Sequence, residues 1–245
     1  MKLITLNTWA GKLYGDISRF LKDHSSNVDV FCLQEVLDGK GSVDAWDGAI
    51  SDLYGRIGGM LPGFNGRVGE MYTTLGERLA IFSSEKISVT DSGEITLCDM
   101  QQMEFKGKTY GIGSRMQWIG FAVNGKRFTV CNVHGLWTPT DKADNPERIL
   151  QSERILKFLD EREGEAILCG DLNLAPDTES VLMLEGKLRN LVMEHNVPTT
   201  RNKFTPEVAG KFADYVFISK GVRENSFDVL QDTVSDHLPL LLDFD

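Results

Sequence analysis

Six short apolar runs in this chain end at, or begin from, a carboxylate, an amide or an imidazole. "LITL" stops at Asn7, "VFCL" at Gln34 and Glu35, "FTVCNV" carries Asn132 and stops at His134, and "AILCG" stops at Asp171, with Asn173 two residues on. Near the C-terminus Asp214 lies inside "FADYVF", and Asp236 and His237 stand at the mouth of "LPLLLDF". Runs of about 4–8 residues bounded by polar or turn residues read as strands. Ionisable side chains are costly to bury without partners. Strands whose polar ends meet at one edge satisfy both demands, because the apolar stretches pack while the ends share a cleft. One such ending says little, but six constrain the fold to sheets that converge on a polar pocket.

The connections refine this picture. "KLITLNTW", "DISRFLKDHS" and "DVFCLQEV" read as strand, helix and strand, with Asp16 as the expected N-cap, which is the opening of an α/β unit. "VDAWDGAISDLYGRIGGML" has helical character weakened by Gly48, Gly55, Gly58 and Gly59, and "GFNGRVGE" reads as loop. From "RLAIFSS" to "RFTVCNVH" alternating runs broken by glycine predict an antiparallel meander, with Asn124-Gly125 as a hairpin turn. "NPERILQSERILKFLDE" is the clearest helix, capped by Asn145 with Pro146 in its first turn and Ile149, Leu156 and Leu159 expected on one face. "EAILCGDLN", "FADYVFIS", "SFDVLQD" and "LPLLLDF" complete the strands. Two sheets with helices outside fit this order better than one doubly wound sheet. At 245 residues the chain is expected to form a single domain over 1–245.

Charge narrows the chemistry. With 36 acidic and 26 basic residues the formal net charge is −10, so long-range attraction does not deliver a phosphate, and local cations must offset the repulsion. A basic nucleic-acid coat is disfavoured. Cys32, Cys131 and Cys169 lie in apolar runs and no CxxC pair occurs, which points to buried reduced thiols. With no leader-like N-terminus and no span-length apolar stretch, the expectation is a soluble cytoplasmic monomer without a membrane span.

In chain order, "TLNTW", "LQEV", "NVHG", "GDLN", "ADYVF" and "SDHLP", spanning residues 3 to 239, resemble the motifs of the endonuclease/exonuclease/phosphatase superfamily, whose fold is DNase I-like. The resemblance implies a four-layer α/β sandwich, two packed mixed β-sheets flanked by helices. It also implies cleavage of a phosphate ester by in-line attack of water, dependent on Mg²⁺ or Mn²⁺. Glu35 would be the principal metal ligand, with Asn7 beside it and Asp236 near the metal. Asp171 would orient or deprotonate the water, and Asn173 would donate to a phosphoryl oxygen. His237 would contact the phosphate, kept protonated and oriented by Asp214, and His134 would assist at the leaving group, as in the DNase-like and sphingomyelinase-like branches. The tyrosine of the abasic-site branch has no clear counterpart: Tyr110 and Trp118 lie near its region but outside the motif.

Such chemistry is also what the residue types suit. Phosphate-ester hydrolysis needs an oriented water, relief of charge on the nonbridging oxygens and a stabilised leaving oxygen. A hard cation that takes one or two carboxylates and keeps its waters fits Glu35 and its neighbours. Each residue alone has a plainer reading: Asp236-His237 as a turn, "GDLN" as a Gly-Asp turn, Glu35 as a solvated strand end, His134 as a satisfied core imidazole. His24 and His195 read as surface residues. Arg115 can bind phosphate, Trp118 reads as core, and the loop "GLWTPTDKADNPER" offers Trp137, Lys142 and Arg148 as cleft contacts. The expected substrate is a phosphate ester, with a phosphodiester of nucleic acid favoured. The alternatives are a phosphoinositide or sphingomyelin-type lipid, or a non-catalytic module that holds a phosphorylated ligand.

Overall fold

The computed structural model describes residues 1–40, 47–206 and 210–245. The first sheet contains β1 (Lys2–Asn7), β2 (Val30–Val36), β3 (Phe64–Val68), β4 (Arg78–Ser84), β11 (Glu224–Val229) and β12 (Leu240–Phe244), in the order β11-β12-β1-β2-β4-β3. The second contains β5 (Val89–Phe105), β6 (Lys108–Val123), β7 (Lys126–His134), β8 (Glu165–Asp171), β9 (Arg189–Asn190) and β10 (Asp214–Ile218), in the order β5-β6-β7-β8-β10-β9. Each sheet has one parallel pair near its middle, β1 with β2 and β7 with β8, and every other pairing is antiparallel. Helices α1 (Tyr14–His24), α2 (Leu53–Met60), α3 (Pro146–Asp160), α4 (Glu179–Glu185) and α5 (Leu191–Glu194) complete the four-layer α/β sandwich. No described helix is long and apolar enough to cross a membrane.

The central strands are apolar on both faces because both are covered. Leu3, Val30, Cys32 and Ile81 pack between the sheets against Met116, Ile119, Cys131 and Val133, while Ile4, Leu6, Phe31, Leu33 and Phe82 turn outward onto Ile17, Phe20 and Leu21 of α1 and Leu53 and Ile57 of α2. This two-residue alternation is that of strands buried on both sides. All four cysteines are buried and unpaired. Beneath the cleft the buried Gln34 Nε2 donates to Asn132 Oδ1 across the sandwich at 2.6 Å, and Asn132 Nδ2 donates to the carbonyls of Leu33 and Ala80. Those two amides are inter-sheet ties.

Local expectations shift in four places. The first helix starts two residues before Asp16, which lies in its first turn instead of capping it. The second helix is limited to Leu53–Met60, capped by Asp52, whose side chain accepts from Gly55 N, and residues 43–46 of the expected run lie outside the described residues. "GFNGRVGE" contains the edge strand β3, because Phe64 packs on Phe31 and Gly66 lies so close under the Phe82 ring that a Cβ there would sit 2.7 Å from it. On α3 the buried face is Arg148, Gln151, Ser152, Ile155 and Leu159, leaving Ile149 and Leu156 half-buried at its flank.

Candidate active site

The parallel pairs end at the same edge of the sandwich, and the site is built there. In β1 and β2 Asn7 pairs with Gln34, and in β7, β8 and β10 His134, Asp171 and Asp214 stand in register across three strands. Glu35 breaks the alternation of its strand: the β2–β4 register shifts between Leu33 and Val36, and Glu35 adopts φ 55°. A bulge of this kind re-aims a side chain at the cost of backbone strain. Here it sends Gln34 into the sandwich and Glu35 into the cleft. Asn7 Nδ2 donates to Glu35 Oε1 at 2.8 Å and to Asp171 Oδ2 at 3.1 Å, so one amide joins acids carried by different sheets.

The acids are crowded. Burial, then the charges of Glu77, Asp236 and Asp171, pushes the Glu35 carboxyl well above its usual range although Asn7 donates to it. Glu77 is pushed up to about 7 by burial and by Asp171. Glu35 Oε2 is buried and has no hydrogen-bond partner. An orphaned carboxylate oxygen among like charges is the environment that a hard divalent cation relieves, and the donors are all oxygens, so the residues fit Mg²⁺ or Mn²⁺. A second group, Asp171, Asp214 and His237, offers ligand atoms within 4.8 Å of one another. Asp214 is already engaged: both its oxygens lie within 2.9 Å of His237 Nδ1, and Thr200 Oγ1 donates to Oδ2.

Opposite the acids lies a basic side. Burial alone would raise the Asp171 carboxyl, but His237, Lys142, His134 and Arg201 outweigh it and hold Asp171 well below the usual carboxylate range. Lys142 Nζ donates to Asn173 Oδ1 at 2.9 Å and is pushed down to about 8 by burial. Asn173 Nδ2 faces Gly135 O at 3.1 Å and His134 Nε2 at 3.2 Å. Burial pushes His134 down to about 4, so its ring is neutral at pH 7, and its Nδ1 meets Tyr72 Oη at 2.6 Å. Because the Asp214 carboxylate only accepts, His237 Nδ1 carries hydrogen. Arg201, which only donates, places NH1 2.5 Å from His237 Nε2. The guanidinium thus occupies the Nε2 side of the ring, the side that faces Asp171.

Glu35, Glu77, Asp171, Lys142, Arg201 and His237 line a cleft of about 750 Å³ together with Trp9, Phe105, Tyr110 and Trp137, with Asn7 and Asp214 buried beneath it. A family model described as the endonuclease/exonuclease/phosphatase family matches residues 4–237. The chain belongs to that family. Its members are phosphoesterase hydrolases. Three solved structures share its fold. An endonuclease/exonuclease/phosphatase from Bacteroides vulgatus has a TM-score of 0.76 at 19% identity, over 100% of this chain and 98% of that one. A mannosyl-6-phosphatase from Bacteroides thetaiotaomicron has 0.74 at 18%, over 100% and 99%. TDP2 of D. rerio complexed with single-strand DNA product has 0.74 at 15%, over 100% and 98%. No curated protein matches the chain.

Asn7, Glu35, His134, Asp171, Asn173, Asp214, Asp236 and His237, chosen from the sequence, all meet in or beneath this family member's cleft. Trp137 and Lys142 line it as well. Arg148 does not: it is buried behind the loop and donates to the carbonyls of Leu136, Ala143 and Asp141, which fixes the loop's shape. Arg115 pairs with Glu94 at 3.8 Å outside the cleft lining, and Trp118 is buried under Arg162. His195 is exposed and His24 half-buried against Phe20. Sequence reasoning missed Tyr72, Glu77 and Arg201. Tyr72 and Glu77 bracket a tight turn in which Tyr72 N donates to Glu77 O, docked on β6 through Gly113 N to Tyr72 O. The available signal was an aromatic and an acid flanking "TTLG" just before the "RLAIFSS" strand.

Proposed function

We infer that residues 1–245 act as one divalent-cation-dependent phosphohydrolase that cleaves a phosphodiester of nucleic acid by in-line attack of water. The observation that carries this reading is the amide of Asn7 bridging Glu35 and Asp171, which brings the two carboxylates into one cleft. Glu35, Asn7 and Asp236, with Glu77 alongside, would hold Mg²⁺ or Mn²⁺. When bound, that cation neutralises charge on the phosphoryl group and the leaving oxygen. Asp171 stays ionised at neutral pH and is the acceptor for the attacking water's proton, which it also orients. Asp214 fixes the His237 ring so that Nε2 faces the cleft beside Asp171, 3.6 Å from Oδ2. Asn173 ties Lys142 and the neutral His134 together, directing them at the same phosphoryl group. No step requires a covalent enzyme intermediate.

The nucleic-acid assignment rests on the mouth of the cleft. Trp9 of the lining lies 6.0 Å from the exposed ring of Phe204, Phe105 and Trp137 of the lining lie 5.2 Å apart, and Lys106 and Lys211 line the cleft as well. Aromatic faces beside cations suit stacked bases and a phosphate backbone. The likeness to TDP2 with a DNA product supports the same reading.

The test is a panel of single- and double-stranded DNA, RNA, abasic DNA, tyrosyl-DNA, sugar phosphates and lipid phosphates, each with Mg²⁺ and with EDTA. Turnover of a nucleic-acid diester in Mg²⁺ that EDTA abolishes is expected. Activity indifferent to EDTA overturns the cation dependence, and turnover confined to sugar or lipid phosphates overturns the substrate class. Silence on every substrate leaves a phospholigand-binding module.

A further inference from the structure

Arg201 is placed with care for a residue that no strand end supplies. Thr200, Arg201 and Asn202 form a strand-like rung locked on both sides. Arg201 bridges His237, Leu238 N donates to Thr200 O, Asn202 Nδ2 donates to Ser235 O, and Thr200 N donates to Lys211 O. Thr205 Oγ1 donates to Asp236 O just beyond. Only 10% of the Arg201 side chain is exposed, yet its Nε is buried without an acceptor. Its contacts are poor ones for a guanidinium: NH1 on an imidazole nitrogen, His237 Nε2, and one 3.6 Å approach to Asp236 Oδ2.

An arginine kept only to balance Asp236 would take the bidentate geometry that a carboxylate offers and would leave no buried N–H idle. Instead Arg201 lines the cleft with one N–H unpaired and no bidentate acceptor for its rigid fork. Lys142 lines the same cleft, and Arg201 is among the charges that depress its pKa.

We propose that Arg201 is a phosphate-binding residue of the cleft, whose guanidinium leaves His237 Nε2 for a nonbridging phosphoryl oxygen when a phosphate is bound, with Lys142 binding the same group. The exchange is favourable because a phosphoryl group offers the guanidinium a full negative charge and a planar, bidentate match in place of a single contact with an imidazole nitrogen. It also exposes His237 Nε2 to the bound phosphoryl group, so one movement both grips the ligand and clears the ring. That the ligand is an ester undergoing hydrolysis rests on the reading above. That Arg201 binds phosphate does not.

The experiment is titration of inorganic phosphate into the full chain in Mg²⁺, followed by calorimetry and by the imidazole resonances of His237. Arg201→Met is expected to weaken phosphate binding by about 10- to 100-fold, and Arg201→Lys, which keeps a point charge without the fork, to fall between. In the wild type the His237 resonances shift on adding phosphate; in Arg201→Met they start displaced and respond little. Arg201→Lys carries the test alone where Arg201→Met does not fold. Equal phosphate affinity in wild type and variants, or no binding by wild type at tens of millimolar phosphate, overturns the proposal. Ester hydrolysis measured in parallel separates the two readings. Turnover with phosphate affinity indifferent to Arg201 removes only this one, whereas Arg201-dependent binding without any turnover removes the hydrolase.

Discussion

Replacing Glu77 by Gln should stabilise the cation-free protein, and only at neutral and alkaline pH. Glu77 is buried, and its carboxyl is raised from 4.5 to about 7. The folded state therefore holds this proton more tightly than the unfolded chain, so wild-type stability falls as pH rises from about 4.5 through 7, with the whole cost present above that. At 1.36 kcal/mol per tenfold the ceiling is about 3 kcal/mol. Gln fills the same space without the charge, so Glu77→Gln should match the wild type near pH 4.5 and gain up to about 3 kcal/mol by pH 8. For a domain of this size that is a rise in Tm of about 6–12 °C. Other groups titrate too: His134, pushed down to about 4, gives stability that grows as pH rises from about 4 to 6.5. That contribution is common to both proteins and cancels in the difference. The assay is thermal unfolding in EDTA from pH 4.5 to 8, repeated with saturating Mg²⁺, which should raise the wild-type Tm more than the variant's because only the wild type keeps this carboxylate beside Glu35. A difference in Tm that does not change with pH, or a Mg²⁺ gain equal in both, refutes the reasoning.

Asp171→Asn should lower kcat by about 10²- to 10⁴-fold in steady-state assays, with a circular dichroism spectrum like the wild type's; a kcat within about threefold of wild type removes Asp171 from the chemistry. Asp214→Asn leaves His237 Nδ1 with a weaker, neutral acceptor, and kcat should fall about 10- to 100-fold, read against Thr200→Val, which removes a hydroxyl that donates to Asp214 Oδ2 and accepts from the backbone N of Ala213 and Asp214, leaves the carboxylate in place and should cost less. Gly170→Ala should lower stability by more than about 3 kcal/mol in chemical denaturation. Gly170 has φ 129°, and a Cβ there would sit 2.1 Å from Val133 O, at the point where β7 and β8 bring His134 and Asp171 together.

Residues in or close to the apolar strands were legible in the sequence, including Asn173, Asp236 and His237 just outside them, and residues brought in by turns docked through remote contacts were not. Asn7, His134, Asp171 and Asp214 sit where an apolar run meets a polar side chain, and a strand's two-residue period makes that boundary visible in one dimension. Glu35 was legible as a strand end, but the bulge that turns it into the cleft was not, because φ 55° at a glutamate leaves no mark on the sequence. Tyr72 and Glu77 face the cleft because a short turn docks on β6, and Arg201 because a rung pairs with His237; both depend on contacts made far along the chain. The same cause hid β3, where pairing with β4 and the Phe82 ring over Gly66 overrode local glycine content.

Asp171 links the two halves of the cleft. The cations on one side keep it ionised, and that charge is in turn among the causes that raise Glu77 and Glu35 on the other. A divalent ion beside Glu35 would lower the repulsion that Asp171 imposes there, and a phosphate on Arg201 and Lys142 would draw on the cations that otherwise attend Asp171. Each ligand thus changes the field the other meets. Because coupling between binding sites is reciprocal, whatever factor Mg²⁺ adds to phosphate affinity, phosphate must add to Mg²⁺ affinity. Asn7, bonded to both Glu35 and Asp171, is the shortest connection through which that coupling can pass. An acidic protein can hold an anionic ester on these terms, because the charge it must overcome is local, divided, and offset on each side by its own counter-ion.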